Sequence, residues 1–264
     1  MDFAGFKSGM KRSFALDLDS YKEAQLKRRL EAFLARHKTD YDAYFRRLLA
    51  NKAEIKEFVD FLTINVSEFF RDPKLFAVLE REVLPGLLAR RRILRLWSAA
   101  CANGAEPYSL AILLEELTPG RRHRILATDI DQEVLEKARE AVFGPESLRN
   151  VDERRLARFF TGEAGQKRTL AGDIRERVEF RRHDLLKDPF ERDFDLIACR
   201  NVLIYFTRDA QNELFQKFSR SLAPGGFLFI GGSEMILRYQ ELGLDRVGTC
   251  LYTRVGNRDT QAGK

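Results

Sequence analysis

Apolar residues along the chain change their spacing near residue 90. Before that point they recur at helical intervals. Leu26, Leu30, Phe33 and Leu34 form one stripe, and residues 41–49 and 53–62 continue with two further helical stretches. Ser20 followed by Glu23 has the spacing of a capping box, which starts the first of these helices. Lys22, Arg29 and Arg36, seven apart, define a basic flank beside the apolar stripe. After residue 90, short apolar runs at 93–99, 124–130, 178–185, 194–199, 227–230 and 250–255 predict strands. Helical stretches at 106–117, 132–142 and 208–222 separate most of them, and Pro224-Gly225-Gly226 marks a turn. The 194–199 run is almost continuously apolar, as a central strand covered on both faces should be. Strands alternating with helices predict a doubly wound α/β sheet. Residues 159–177 break the alternation with Gly162, Gly165 and Gly172 and read as a small β insertion. The expected organisation is a helical domain with its linker over 1–72, a sheet domain over 73–256, and a flexible polar tail over 257–264.

Composition narrows the class. Of 264 residues, 44% are hydrophobic and 33% charged, so a packed core is expected rather than disorder. Residues 1–10 hold no apolar stretch of signal-peptide length. No apolar run approaches the roughly 18 residues of a membrane span. A soluble, cytoplasmic protein without membrane insertion is expected. Cys101, Cys199 and Cys250 form no CxxC pair, so three reduced, partly buried thiols are expected. His37, His123 and His183 are scattered and suggest neither a metal site nor a Ser-His-Asp triad. The formal net charge of +6 suits nucleic acid, an anionic membrane surface or an acidic protein partner, and does not choose among them.

Ligands of doubly wound sheets bind beyond the carboxyl ends of the strands. The loop after the first strand, Ser98-Ala99-Ala100-Cys101-Ala102-Asn103-Gly104-Ala105-Glu106-Pro107-Tyr108-Ser109, is rich in small residues and leads into a helix amino terminus. It is neither GxGxxG nor GxxxxGK[ST], which disfavours a dinucleotide or a triphosphate. Asp129 ends the second strand, where a carboxylate accepts hydrogen bonds from ribose hydroxyls or else caps the next helix. Asp131 reads more readily as that cap. Glu106 suits a ligand ammonium group, or is a helix-start carboxylate favoured by the dipole. These residues point to a nucleoside-type ligand on a Rossmann-like sheet.

A set of ordered motifs sharpens this. Leu62-Thr63-Ile64-Asn65-Val66-Ser67-Glu68-Phe69-Phe70-Arg71-Asp72, Trp97-Ser98-Ala99-Ala100, Gly104-Ala105-Glu106-Pro107-Tyr108-Ser109 and Ala127-Thr128-Asp129-Ile130-Asp131 resemble the CheR family of chemotaxis-receptor glutamate methyltransferases. So do Cys199-Arg200-Asn201-Val202-Leu203-Ile204-Tyr205-Phe206, Leu222-Ala223-Pro224-Gly225-Gly226 and Gly232-Ser233-Glu234. The resemblance runs from about residue 6 to about residue 255. It implies a Rossmann-like class I methyltransferase sheet with a small β insertion, preceded by an all-α domain. It implies S-adenosylmethionine as cofactor, with S-adenosylhomocysteine as product. By motif position its cofactor contacts fall on Asn65, Ser67, Arg71, Glu106, Asp129, Asp184, Leu185, Arg200 and Asn201, and Tyr205 matches a tyrosine beside the transferred methyl group. Arg71 and Tyr205 are therefore the expected catalytic residues. Ala105 replaces a glutamate usual in the family, Ser67 stands where threonine is common, and Asp184 stands where asparagine is frequent. Aspartate accepts but cannot donate, which weakens the transfer of an adenine contact to Asp184.

The resemblance further implies a chemoreceptor's cytoplasmic helical region as partner, met by the β insertion; the basic flank of Lys22, Arg29 and Arg36 reads either as a second face toward acidic receptor helices or as solvated helix surface. Two other readings compete. A nucleic-acid methyltransferase fits the charge, but no Asn/Asp-Pro-Pro-aromatic element follows the fourth strand, and Cys199 has no proline neighbour or evident activator. A catalytically silent cofactor-binding module is favoured only by Ala105.

Overall fold

The computed structural model describes residues 1–62 and 67–256, so Asn65 and the polar tail 257–264 lie outside the described residues. The chain divides into two compact units. The first comprises residues 1–64 and 202–213, and the second comprises 65–201 and 214–264. Residues 67–72 fall in the sheet unit, whereas the sequence reading grouped 1–72 together.

In the first unit, α1 (Phe3–Phe14), α2 (Glu23–Arg36), α3 (Tyr41–Ala50) and α4 (Lys52–Leu62) pack around one core. Phe6, Met10, Leu30, Tyr44 and Phe58 at its centre are fully enclosed. The stripe Leu26, Leu30, Phe33 and Leu34 is buried as its spacing predicts. α1 was not foreseen: Phe3, Phe6 and Met10 supply its apolar face, but Gly5 and Gly9 weaken the helical signal. Its amino end is capped by Asp2, whose carboxylate accepts the Gly5 N–H at 2.8 Å.

Two expectations are corrected here. The capping box at Ser20 and Glu23 does not form. Ser20 ends a 3-10 turn, Leu18–Ser20, and α2 starts behind Lys22 with no side-chain cap. The backbone there pairs instead with a remote segment of the same unit. The Lys22 N–H donates to the Tyr205 carbonyl at 2.9 Å, and the Thr207 N–H donates to the Ser20 carbonyl at 2.8 Å. The basic flank is also thinner than its spacing suggests. Lys22 and Arg36 are exposed, but Arg29 is half-buried and donates to the carbonyls of Phe61 and Leu62 at the end of α4. A cation at a helix carboxyl end satisfies carbonyls that have no partner in the helix.

The second unit holds a seven-stranded sheet. In chain order its strands are β1 (Arg95–Ala99), β2 (Arg124–Asp129), β6 (Val178–Arg182), β7 (Phe194–Cys199), β8 (Leu222–Ile230), β9 (Leu244–Arg246) and β10 (Leu251–Arg254). Their spatial order is β6-β2-β1-β7-β8-β10-β9. The first five pair in parallel, and β10 pairs antiparallel with β8 and β9. This is the expected Rossmann-like sheet, and every residue of β7 is buried, as its unbroken apolar run requires. β3 (Val142–Phe143), β4 (Phe160–Thr161) and β5 (Arg168–Leu170) form the small antiparallel sheet, in the order β3-β5-β4. It reaches back beyond the expected 159–177, because Ala141 turns left-handed (φ 54°) and ends the preceding helix at Glu140. Pro224-Gly225-Gly226 is not a turn between elements. It is an irregularity inside β8, where the register against β7 jumps from Phe194↔Leu222 to Leu196↔Phe227.

The helices of this unit are α5 (Pro73–Val78) and α6 (Leu84–Leu88), joined by a π-helical turn at Leu79–Val83, then α7 (Ala105–Leu117), α8 (Gln132–Glu140), α9 (Pro145–Leu148), α10 (Glu153–Phe159) and α11 (Gly172–Arg175). α12 (Arg208–Ser221) begins among the first unit's residues and ends among the second's. Cys101, Cys199 and Cys250 are free and buried. Among the described residues no helix is long and apolar enough to cross a membrane.

His123 ties the entry of β1 to the end of α7. Its Nδ1 accepts the Leu94 N–H at 3.0 Å, so the ring proton sits on Nε2, 2.9 Å from Thr118 Oγ1. Burial, with Arg121 and Arg177 nearby, pushes the imidazole down to about 4. An unfolded histidine titrates near 6.5, so between those values the unfolded chain binds the extra proton. The stability this neutral histidine supports is complete above about pH 6.5 and is lost as pH falls toward 4, to about 3 kcal/mol. Chemical denaturation across that range should show the decline in the wild-type chain and a flatter profile in His123→Gln; identical slopes would remove His123 as the cause.

Candidate functional site

β1, β2, β6, β7 and β8 run parallel and point their carboxyl ends to one edge of the sheet, and the strand order reverses between β1 and β7. Such a reversal opens a crevice for ligands. β1 leaves the sheet through Ala100 (φ 60°) and Ala102 (φ 48°), then Gly104 (φ 86°), before α7 begins at Ala105. A Cβ at Gly104 would stand 3.0 Å from the Ala138 Cβ on a backbone that L side chains rarely adopt, so glycine is required. Left-handed alanines cost of order 1–3 kcal/mol each and persist where surrounding structure imposes them.

Two buried carboxylates face this loop, Asp129 from the end of β2 and Glu106 from the start of α7. Asp129 closes β2: its Oδ2 accepts the Ala102 N–H at 2.9 Å and its Oδ1 accepts the Asp131 N–H at 3.1 Å. Burial raises its carboxyl above the ordinary range, and these N–H donors oppose the rise. Asp129 does not cap α8. Asp131 does, accepting the N–H groups of Glu133 and Val134. Glu106 lies in the first turn of α7, where Oε1 accepts the Ser98 hydroxyl at 2.7 Å and Oε2 lies 3.5 Å from Arg200 Nη1.

Arg200 follows β7 and is the hub of the site. Its side chain is 2% exposed and its guanidinium lies over the Phe229 ring at 4.5 Å. Nη2 donates to the Arg71 carbonyl at 3.0 Å and to the Asp72 carboxylate at 2.5 Å. Next to it, Asn201 is left-handed (φ 59°), and its N–H is held by the Glu234 carboxylate at 3.1 Å. Glu234 also accepts the Gly231 N–H at 2.7 Å, so one carboxylate bridges the ends of β7 and β8. Arg200 Nε and Asn201 Oδ1 are buried with no hydrogen-bond partner among the described residues.

The linker 67–72 lies along these groups. The Ser67 carbonyl accepts Asn103 Nδ2 at 3.1 Å, and the Phe70 N–H donates to Ser109 Oγ at 3.0 Å. The Arg155 guanidinium, paired with Glu116 and Glu80, stacks on the Phe70 ring at 4.6 Å. Phe70 (φ 50°) and Asp72 (φ 62°) are both left-handed, and between them Arg71 is half-exposed and forms no ion pair among the described residues.

Eight of the expected site residues therefore lie among the described residues of the second unit: Ser67, Arg71, Glu106, Asp129, Arg200 and Asn201, with Asp184 and Leu185 beyond β6, where the Leu185 carbonyl accepts Lys217 Nζ at 2.9 Å. Asp184, beside it, is engaged by its own turn, accepting the Leu186 N–H at 3.0 Å with Lys187 Nζ at 3.4 Å. Tyr205 belongs to the first unit, where the Arg29 guanidinium stands 5.7 Å from its ring centre. Ser98, Asn103, Ser109, Asp72 and Glu234 were not singled out from the sequence as site residues. Ser98, Ser109, Asp72 and Glu234 lie within the motifs that carried the resemblance and Asn103 lies in the loop between two of them, and only their contacts reveal what they do.

This donor set fits S-adenosylmethionine. Asp129 and Glu106 offer acceptors for hydroxyl and ammonium groups, Asn201 Oδ1 is an unsatisfied acceptor, and the glycine and alanine loop leaves the backbone accessible. Comparison with known proteins agrees. Residues 65–246 match the model of the CheR methyltransferase SAM (S-adenosylmethionine) binding domain, and residues 1–63 match the CheR methyltransferase all-alpha domain. A chemotaxis protein methyltransferase of Listeria innocua is 42% identical over 255 residues, covering 96% of this chain and 97% of that protein. Proteins of the same description from Salmonella typhimurium and Escherichia coli are each 38% identical, over 207 and 208 residues. They cover 74% of this chain and 69% and 70% of their own lengths. The chain belongs to the CheR methyltransferase family and is an S-adenosylmethionine-dependent methyltransferase.

Proposed function

We propose that this protein transfers a methyl group from S-adenosylmethionine to glutamate side chains of a bacterial chemoreceptor in the cytoplasm, giving glutamyl methyl esters for sensory adaptation. The relatives' description as chemotaxis protein methyltransferases supports the setting. The observation that carries the acceptor class is Arg71: an arginine without an ion-pair partner among the described residues, fixed between two left-handed residues and joined through its carbonyl to Arg200. A guanidinium so placed is suited to a carboxylate.

The bound cofactor supplies an electrophilic methyl group on a positively charged sulfur. A glutamate acceptor has a free pKa of about 4.3 and is ionised near neutral pH, so no general base is required. What the chain provides is alignment and exclusion of water. Asp129 holds ribose hydroxyls, Glu106 the ammonium group, and Arg71 draws the acceptor carboxylate into line. Tyr205 packs beside the transferred methyl group. Ser67, Asn65, Leu185, Asn201 and Arg200 complete the cofactor's surroundings, and Asp184 remains a candidate through its backbone more than its carboxylate. Cys199 and Cys101 are poor nucleophiles, because complete burial pushes both thiols well above their ordinary range.

Asp129→Ala should weaken S-adenosylmethionine and its demethylated product alike, by about 1.5–3 kcal/mol for a charge-assisted hydrogen bond. Titration calorimetry on the folded variant reads this directly, and unchanged affinity would take Asp129 out of the site. The product offers a separate test. Label transferred from methyl-labelled cofactor to chemoreceptor-containing membranes should leave as methanol in mild base, as esters do. Base-stable label, or label on RNA, would overturn the glutamate reading. Lys22 and Arg36 remain as exposed charges able to speed encounter with acidic receptor helices. Lys22→Glu with Arg36→Glu should slow receptor methylation at low salt and reduce its salt sensitivity while cofactor affinity holds, since exposed charges are screened over about 8–10 Å. Initial rates equal to wild type would make them plain solvated surface.

A further inference from the structure

Asp72 stands where a helix cap is expected and does not cap. It immediately precedes α5, with Pro73 in the first turn, the arrangement in which an aspartate side chain normally accepts an N–H of the first turn. Residues in that role adopt extended backbone. Asp72 instead is left-handed (φ 62°, ψ 70°), and its side chain makes no cap bond to α5. The carboxylate turns to Arg200, 2.5 Å from Nη2. A local role is forgone, at a cost in backbone strain, for one contact with the buried guanidinium.

That guanidinium cannot follow Asp72 elsewhere. Phe229 and Phe76 flank it at 4.5 and 5.5 Å, and Nη1 reaches toward Glu106. The same Nη2 that meets Asp72 also holds the Arg71 carbonyl at 3.0 Å. Arg71 is thereby gripped at its own carbonyl and through the side chain of the next residue, while the Phe70 N–H is gripped by Ser109 and the Phe70 ring by Arg155. Four contacts, from Arg200, Ser109 and Arg155, hold one strained turn and fix the direction in which the Arg71 side chain leaves the backbone.

We propose that Asp72 is a positioning residue for methyl transfer: its carboxylate, latched to Arg200, holds the left-handed turn that aims Arg71 at the acceptor. This rests on the reading of Arg71 as the group that steers the acceptor carboxylate. The Asp72 side chain is 46% exposed, so water can take its place, and Arg200 keeps Glu106, the Arg71 carbonyl and the Phe229 face; its loss should leave the protein folded.

The test uses the full-length protein, methyl-labelled S-adenosylmethionine and a purified cytoplasmic fragment of a chemoreceptor, and compares wild type with Asp72→Asn, Asp72→Gly and Arg71→Ala. Asparagine tolerates the left-handed region and keeps an acceptor for Arg200, so D72N should stay near wild-type turnover. Glycine adopts the turn without strain but has no latch. D72G should lose roughly ten- to a hundredfold in kcat, the scale of a misplacement near 1 Å, with cofactor Kd and melting temperature unchanged. D72G turning over like wild type while R71A is impaired overturns the positioning role alone. D72G losing cofactor affinity in step with kcat overturns it too, since the residue would then serve binding. R71A turning over like wild type, or a wild-type enzyme silent on the fragment, removes the acceptor reading and this inference with it.

Discussion

One guanidinium, almost wholly out of water, organises the sheet unit's carboxyl edge. Removing a charge from water costs several kcal/mol unless partners surround it. Arg200 meets that demand with Asp72, Glu106, the Arg71 carbonyl and the face of Phe229. These four partners come from three parts of the chain: the linker, the first turn of α7 and the strand β8. A single buried charge therefore dictates where the linker lies, how Glu106 points and which face of β8 turns inward.

Backbone strain marks the same edge. Phe70, Asp72, Ala100, Ala102 and Asn201 are left-handed without being glycine. Such residues persist only where neighbouring contacts over-determine them, and here those contacts are visible: Ser109 on Phe70, Arg200 on Asp72, Asp129 on Ala102 and Glu234 on Asn201. In three of the four cases a charged side chain forms the restraint. The carboxylates at this edge divide into those that hold backbone N–H groups, Asp129, Asp131 and Glu234, and Glu106, which among the described residues accepts only from the side chains of Ser98 and Arg200. No proton-transfer apparatus is needed beside them, because the proposed acceptor is already ionised at neutral pH.

Period and composition determined a good deal by themselves. The stripe of α2, the fully buried β7 and the alternation of strands and helices follow from burial geometry, which imposes spacings of 3.6 and 2 or an unbroken apolar run. Asp129 and Glu106 were legible because strand ends and helix starts beside a small-residue loop are where a doubly wound sheet receives ligands. The CheR resemblance rested on ordered motifs, and its cofactor followed from them. Only the tertiary structure decided the rest. Ser20 and Glu23 spell a capping box, yet the backbone there pairs with residues 205 and 207, far along the chain. Arg29 has the spacing of a surface flank, yet it closes the end of α4. Asp72 has the position of a cap, yet it answers to Arg200. In each case a partner distant in sequence outcompeted the local one, because a buried or chain-terminal polar group without a partner costs more than a forgone local hydrogen bond. That competition is set by three-dimensional proximity, which residue spacing does not encode.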